Sequence, residues 1–134
     1  MIELEGPLFT IIANALRDRF SGIFVSGEYV PIPASFPAVS VVEADNATYA
    51  QTRTSSNVEY HAQVMYEVDV YSNRAKGKKT EAKAIISVID EIFLRYGFTR
   101  MFCEATPNMN DATIYRMTAR YRAIVDQNLT IYRR

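Results

Sequence analysis

Apolar residues recur along this chain at two different spacings. Between 58 and 71 the even positions Ala62, Val64, Tyr66, Val68 and Val70 are apolar, and the odd positions His61, Gln63, Glu67 and Asp69 are polar. Successive side chains of a strand point to opposite faces, so period two predicts a strand over 58–71. One of its faces belongs in a core, and the other meets water or a partner. After Ser72 and Asn73 the period changes. Ala82, Ile85, Ile86, Ile89, Ile92, Phe93 and Tyr96 fall at helical intervals, which predicts a helix over 74–96. Gly97 follows, where a left-handed C-terminal cap favours a residue without Cβ. Leu8, Ile11, Ile12, Ala15 and Leu16 predict an earlier helix over 7–19. Pro7 suits its first position, where the missing N–H costs nothing.

The other segments are shorter. Strands are predicted over 38–44, 98–106 and 113–126, with further short ones at Ile23-Phe24-Val25 and over 129–132. Pro31, Pro33 and Pro37 make 21–37 an irregular connection. The polar stretch 45–57 reads as a mobile loop whose large side chains are Tyr49 and Arg53. The resulting order is α-β-β-α-β-β. Short connections favour antiparallel pairing. The prediction is one domain over 1–134, an α+β two-layer fold. Two amphipathic helices pack on one face of a mainly antiparallel sheet of four or more strands.

Composition narrows the chemistry. The chain has 134 residues, the length of one domain. Fifteen basic and fifteen acidic residues give a formal net charge of zero. That argues against a protein whose main task is to wrap nucleic acid. The zero hides a division. Residues 1–50 hold six acids against two bases, and residues 51–134 hold nine acids against thirteen bases.

Cys103 is the only cysteine, so no intramolecular disulfide forms and a reducing compartment is expected. Its place beside Met101 and Phe102 in a strand predicts a buried, inert thiol. No apolar run approaches the ~20 residues of a membrane span, and no basic-then-apolar leader opens the chain. His61 is the only imidazole and reads as a surface histidine, so no His-pair metal site exists. Gly77-Lys78-Lys79-Thr80 resembles a phosphate loop only faintly, because Ser72 stands where the first glycine belongs. No catalytic, cofactor-binding or metal-ligating residue is predicted, and the chain does not read as an enzyme.

The informative charges are basic. Arg116, Arg120 and Arg122 share a strand face with Thr118, while Tyr115, Met117, Ala119, Tyr121, Ala123 and Val125 take the core face. The arginines either pair with Glu67 and Asp69 across the sheet or meet an acidic partner. Arg74, Lys76, Lys78 and Lys79 gather where the long helix begins, and cations are mildly unfavourable at a helix N-terminus. Either they form a solvated basic first turn, or a partner meets them.

A resemblance enters at these residues. Val68-Asp69-Val70-Tyr71-Ser72-Asn73, the Ala/Ile helix after it and Tyr96-Gly97-Phe98-Thr99-Arg100 carry its first part. Tyr115-Arg116, Ala119-Arg120-Tyr121-Arg122 and Ile131-Tyr132-Arg133 carry the rest. Over about 38–134 the chain resembles the tail-terminator and tail-completion proteins of long-tailed bacteriophages and phage-tail-like particles. The resemblance implies a small α+β subunit that assembles as a ring, usually of six copies. Such a ring caps the head-proximal end of the tail tube, ends tube polymerisation and offers the head-joining surface. The implied partners are further copies of itself, the tail tube protein, the sheath protein and head connector proteins. The implied place is the virion tail, assembled in the bacterial host cytoplasm. No cofactor and no active site come with the family.

A ring needs heterologous contacts, which an acidic N-terminal part and a basic C-terminal part suit. Exposed tyrosines and arginines are favoured anchors. The candidate interface residues are Tyr49, Arg53, Lys76, Lys78, Lys79, Arg116, Arg120, Arg122, Tyr132 and Arg133. Charge reversal at Arg116 or Arg120 is expected to harm assembly more than folding. The alternatives are a head-completion protein at the portal and a small nucleic-acid-binding domain.

Overall fold

The computed structural model describes residues 1–30, 33–48, 61–107 and 111–126, together with the backbone of 131–132. In chain order the elements are α1 (Glu5–Arg19), β1 (Phe24–Ser26), β2 (Ala38–Thr48), β3 (His61–Ser72), α2 (Lys78–Arg95), β4 (Thr99–Thr106), β5 (Tyr115–Asp126) and β6 (Ile131–Tyr132). The strands form one mixed sheet in the order β1-β2-β3-β5-β4, with β6 paired to β5. Among the described strand pairs only β1–β2 is parallel. The fold is therefore α+β with two layers.

Period two in β3 does what it predicts. Ala62, Val64, Tyr66, Val68 and Val70 are wholly buried, and Met117, Ala119, Tyr121, Ala123 and Val125 of β5 join them. Leu8, Ile12 and Leu16 of α1 and Ile85, Ile89, Ile92 and Phe93 of α2 close the core from one side. The Phe93 and Tyr121 rings stack with centroids 4.1 Å apart, and Phe98 meets Phe93 edge-on. Gly97 takes φ 89° after α2, and Phe98 N–H then donates to Phe93 O. That is the turn its lack of a Cβ permits.

Four expectations change. The long helix begins at Lys78 and not at 74. Gly77 adopts φ 84°, and the Ser72 hydroxyl donates to Glu81 at 2.7 Å, so 73–77 is a tight connection and Arg74 and Lys76 precede the helix. The first helix begins at Glu5, two residues early, because a proline at the third position still lies among the N–H groups that have no helical partner. The stretch 45–57 is not all loop. Asp45, Asn46, Ala47 and Thr48 continue β2 opposite Met65, Val64, Gln63 and Ala62, past an irregularity between Glu43 and Asp45. A long neighbouring strand supplies the pairing that polar side chains do not forbid. Finally, Cys103 is exposed and not buried. It sits on β4, an edge strand, while α2 packs mainly on β3 and β5.

The second face of the sheet is only partly wet. Phe24, Phe36, Ala38, Tyr71 and Ile114 form a smaller apolar cluster there. Ser40, Asp69 and Thr118 on the same face are buried. Among the described residues, no helix is long and apolar enough to cross a membrane.

Candidate assembly surface

The β3–β5 register sets each arginine. Tyr71 lies opposite Arg116, Asp69 opposite Thr118, Glu67 opposite Arg120 and Met65 opposite Arg122. Arg116 Nε donates to Asp69 Oδ1 at 2.9 Å. The Thr118 hydroxyl donates to the same oxygen at 2.6 Å, and Thr106 donates to Thr118 at 2.9 Å. The Asp69 side chain is 2 % exposed and that of Arg116 18 %. The guanidinium also lies over the rings of Tyr71 and Tyr29, 5.6 and 5.7 Å from their centroids. Burial opposes its charge, but the bond to Asp69 and the carboxylate's charge outweigh that and hold the Arg116 pKa above its usual value.

Arg120 is less committed. Its Nη2 donates to Glu67 at 2.8 Å, with both side chains about one third exposed. Its guanidinium lies over Phe102. Arg122 makes no ion pair with a described residue. The face therefore follows the cross-strand pairing read from the sequence at Arg116 and Arg120, and Arg122 alone of the three has no ion pair among the described residues.

The cations near the start of α2 divide similarly. Lys78 Nζ donates to Thr113 O at 3.1 Å, and Arg74 stands 3.8 Å from Glu81. Lys76 and Lys79 are exposed, without an ion pair to any described residue. Tyr49, Arg53, Arg133 and the side chain of Tyr132 lie outside the described residues.

Acids of the N-terminal part gather beside α1 and β2. Glu43 accepts from the Tyr66 hydroxyl at 2.8 Å, and its own N–H donates to Glu5. Asn46 donates to Ile2 O at 2.8 Å. Burial, then Glu43, then the more distant Glu5 and Glu3 push the Tyr66 phenol far up. The charge division along the sequence is thus also a division in space. Acids cluster where α1 starts, and bases where α2 starts.

Sequence reasoning missed the flank between α2 and β4. A groove of about 510 Å³ runs there, lined by Lys83, Ile86, Asp90, Leu94, Arg100 and Cys103 among others. Asp90 accepts from Arg100 at 2.9 Å and from the Tyr121 hydroxyl at 2.8 Å. Leu94 is 45 % exposed, Met101 44 % and Tyr96 40 %. Among the described residues, the long edge strand β4 pairs only with β5. Burial pushes the Cys103 thiol pKa up, against the lowering effect of Arg100, so it is no ready thiolate. Leu94 and Met101 were the available signal, a large apolar residue off the buried stripe of α2 and another on a strand with no clear alternation. Tyr96, whose spacing places it on the apolar stripe, is instead exposed because α2 ends at Arg95. His61 starts β3 opposite Asp126, and the described residues contain no cluster fit to hold a metal ion. No family model matches the chain, and no curated protein sequence does either.

Proposed function

We propose that this protein is a structural subunit that assembles into a ring, with six copies expected, and caps the head-proximal end of a phage or phage-like tail tube. In that role it ends tube growth and presents the surface on which the head docks. The observation behind the proposal is the α2–β4 flank. Apolar side chains stand exposed on α2 and β4, beside an open groove and a strand that pairs on one side only among the described residues. Strand edges of this kind invite pairing with another chain, and exposed large apolar side chains are favoured at interfaces. Most of the residues that carry the resemblance fall on β3, α2, β4 and β5, with Ile131 and Tyr132 on β6. Acidic and basic clusters on different parts of one subunit also suit head-to-tail closure. Nucleic-acid binding draws less support, since Asp69 and Glu67 neutralise two of the three arginines.

Solution mass and negative-stain imaging of the purified protein, alone and with tail tubes, test the role. Rings seated on tube ends are expected. A strict monomer that never caps tubes overturns the proposal.

A further inference from the structure

We propose that Arg116 is the centre of a carboxylate-binding site, independent of ring formation. A guanidinium carries five N–H donors in a planar fork. On Arg116 the Nε–H is spent on Asp69. Among the described residues, nothing accepts from Nη1 or Nη2. Neither Nη group is a buried atom left without a partner, so both keep access to solvent and to a ligand, and Arg116 lines a cavity of about 470 Å³.

The fork is held still before any ligand arrives. Asp69 fixes its inner edge, Thr118 fixes Asp69 and Thr106 fixes Thr118. Tyr29 and Tyr71 each lie against the guanidinium. A rigid fork loses little rotamer entropy on binding, which is what bidentate recognition of a carboxylate needs.

The rest of the cavity selects among oxyanions. Its walls include Ala105, Pro107, Ala112 and Ile114. These apolar groups suit the methylene stem behind a carboxylate better than the extra oxygens and second charge of a phosphate. Lys78, whose ammonium is 3.1 Å from Thr113 O, adds positive charge near the wall residues Ala112 and Ile114. Asp111 is the acid nearby, and its carboxylate is already spent on the Thr113 N–H and hydroxyl. The ligand chemistry is thus a single carboxylate on an aliphatic stem. It comes either from a small free acid or from an Asp or Glu side chain of another protein.

Nuclear magnetic resonance titration tests this with two probes, sodium acetate and the capped tripeptide acetyl-Ala-Glu-Ala-amide, against sodium chloride at matched ionic strength. Saturable shifts at Ile114, Tyr115 and the Arg116 Nε–H are expected with the carboxylates and not with chloride. Arg116→Lys keeps the charge but loses the fork and should weaken binding by about tenfold or more. That change also disturbs the Asp69 bond, so Ala112→Leu, which fills the cavity and leaves Asp69 alone, should abolish binding too. A tripeptide that binds about tenfold tighter than acetate identifies a protein side chain as the ligand, and equal affinities identify a small acid. Shifts that do not saturate, that chloride reproduces, or that survive both substitutions overturn the proposal.

Discussion

Asp69 and Glu67 are two residues apart on one strand face, yet their ion pairs differ in kind. Asp69 is buried and its oxygen accepts from both Arg116 and Thr118. Asp69→Ala would leave a poorly solvated guanidinium without its counter-charge, and breaking such a pair costs about 3 kcal/mol. Arg120→Ala breaks a pair that water already screens, so it should cost less than about 1 kcal/mol. Urea melts of the two variants check the contrast, and similar losses would refute it. Charge reversal at Arg116 is accordingly expected to unfold the subunit before assembly is at issue, contrary to the expectation from sequence. The buried phenols make a second prediction at this scale. Burial pushes Tyr71 up to about 12, and Tyr66 and Tyr121 further, each of the latter helped by a carboxylate acceptor. An unfolded tyrosine ionises near pH 10. The folded state therefore holds protons that the unfolded chain releases. The stabilisation is complete below about pH 10 and is lost as pH rises toward and through the folded values. Alkaline titration should show part of the phenolate absorbance appearing only as the fold is lost. All nine tyrosines titrating near pH 10 with the fold intact would contradict this.

The start of α2 shows how an element's boundary depends on a single backbone angle. Gly77 has φ 84° with open space around its Cα, so a Cβ there meets strain and not a clash. Gly77→Ala should cost about 1 kcal/mol. Gly6 lies inside α1, with no positive φ and nothing near a new Cβ. Gly6→Ala should instead stabilise by about 0.5 kcal/mol. Thermal melts of the two variants should move in opposite directions. The elements themselves were legible where periodicity was strong. The β3 alternation and the Ile85–Phe93 stripe each named their buried face residue by residue, because a single-sided layer fold ties period to burial. Boundaries were less legible. The sequence 74–77 has helical composition but is diverted by the Ser72–Glu81 bond and by Gly77. Thr48 is strand only because β3 is long enough to pair with it. The arginine face was legible as two alternatives, and the across-sheet register chose between them at Arg116 and Arg120. The α2–β4 groove was not legible, because it depends on which strand ends up at the sheet edge. That order, β5 inside β4, comes from long-range pairing and not from local pattern.

At the scale of the whole molecule, the question is which surface remains for partners once internal bonds are counted. Arg120, Lys78 and Asp90 are bonded within the subunit, and Arg116 spends its Nε–H on Asp69, which leaves only its Nη groups for a carboxylate. What stays available among the described residues includes Leu94, Tyr96 and Met101 at the end of α2 and on β4, and the cations Lys76 and Lys79 at the start of α2 and Arg122 on β5. Apolar anchors contribute most of an interface's energy, while rim charges set encounter rate and salt response. If the flank seats a neighbouring copy, the double variant Leu94→Lys, Met101→Glu should lower the solution mass to that of a monomer. Its melting behaviour should stay close to the parent's, since exposed substitutions usually change stability by no more than about 0.5 kcal/mol. Lys79→Glu should slow assembly, most visibly at low salt, and leave the final assembly size unchanged. Light scattering across a salt series separates the two effects. A double variant that assembles like the parent would move the contact away from this flank. A parent protein that stays monomeric in every condition would remove the need for one.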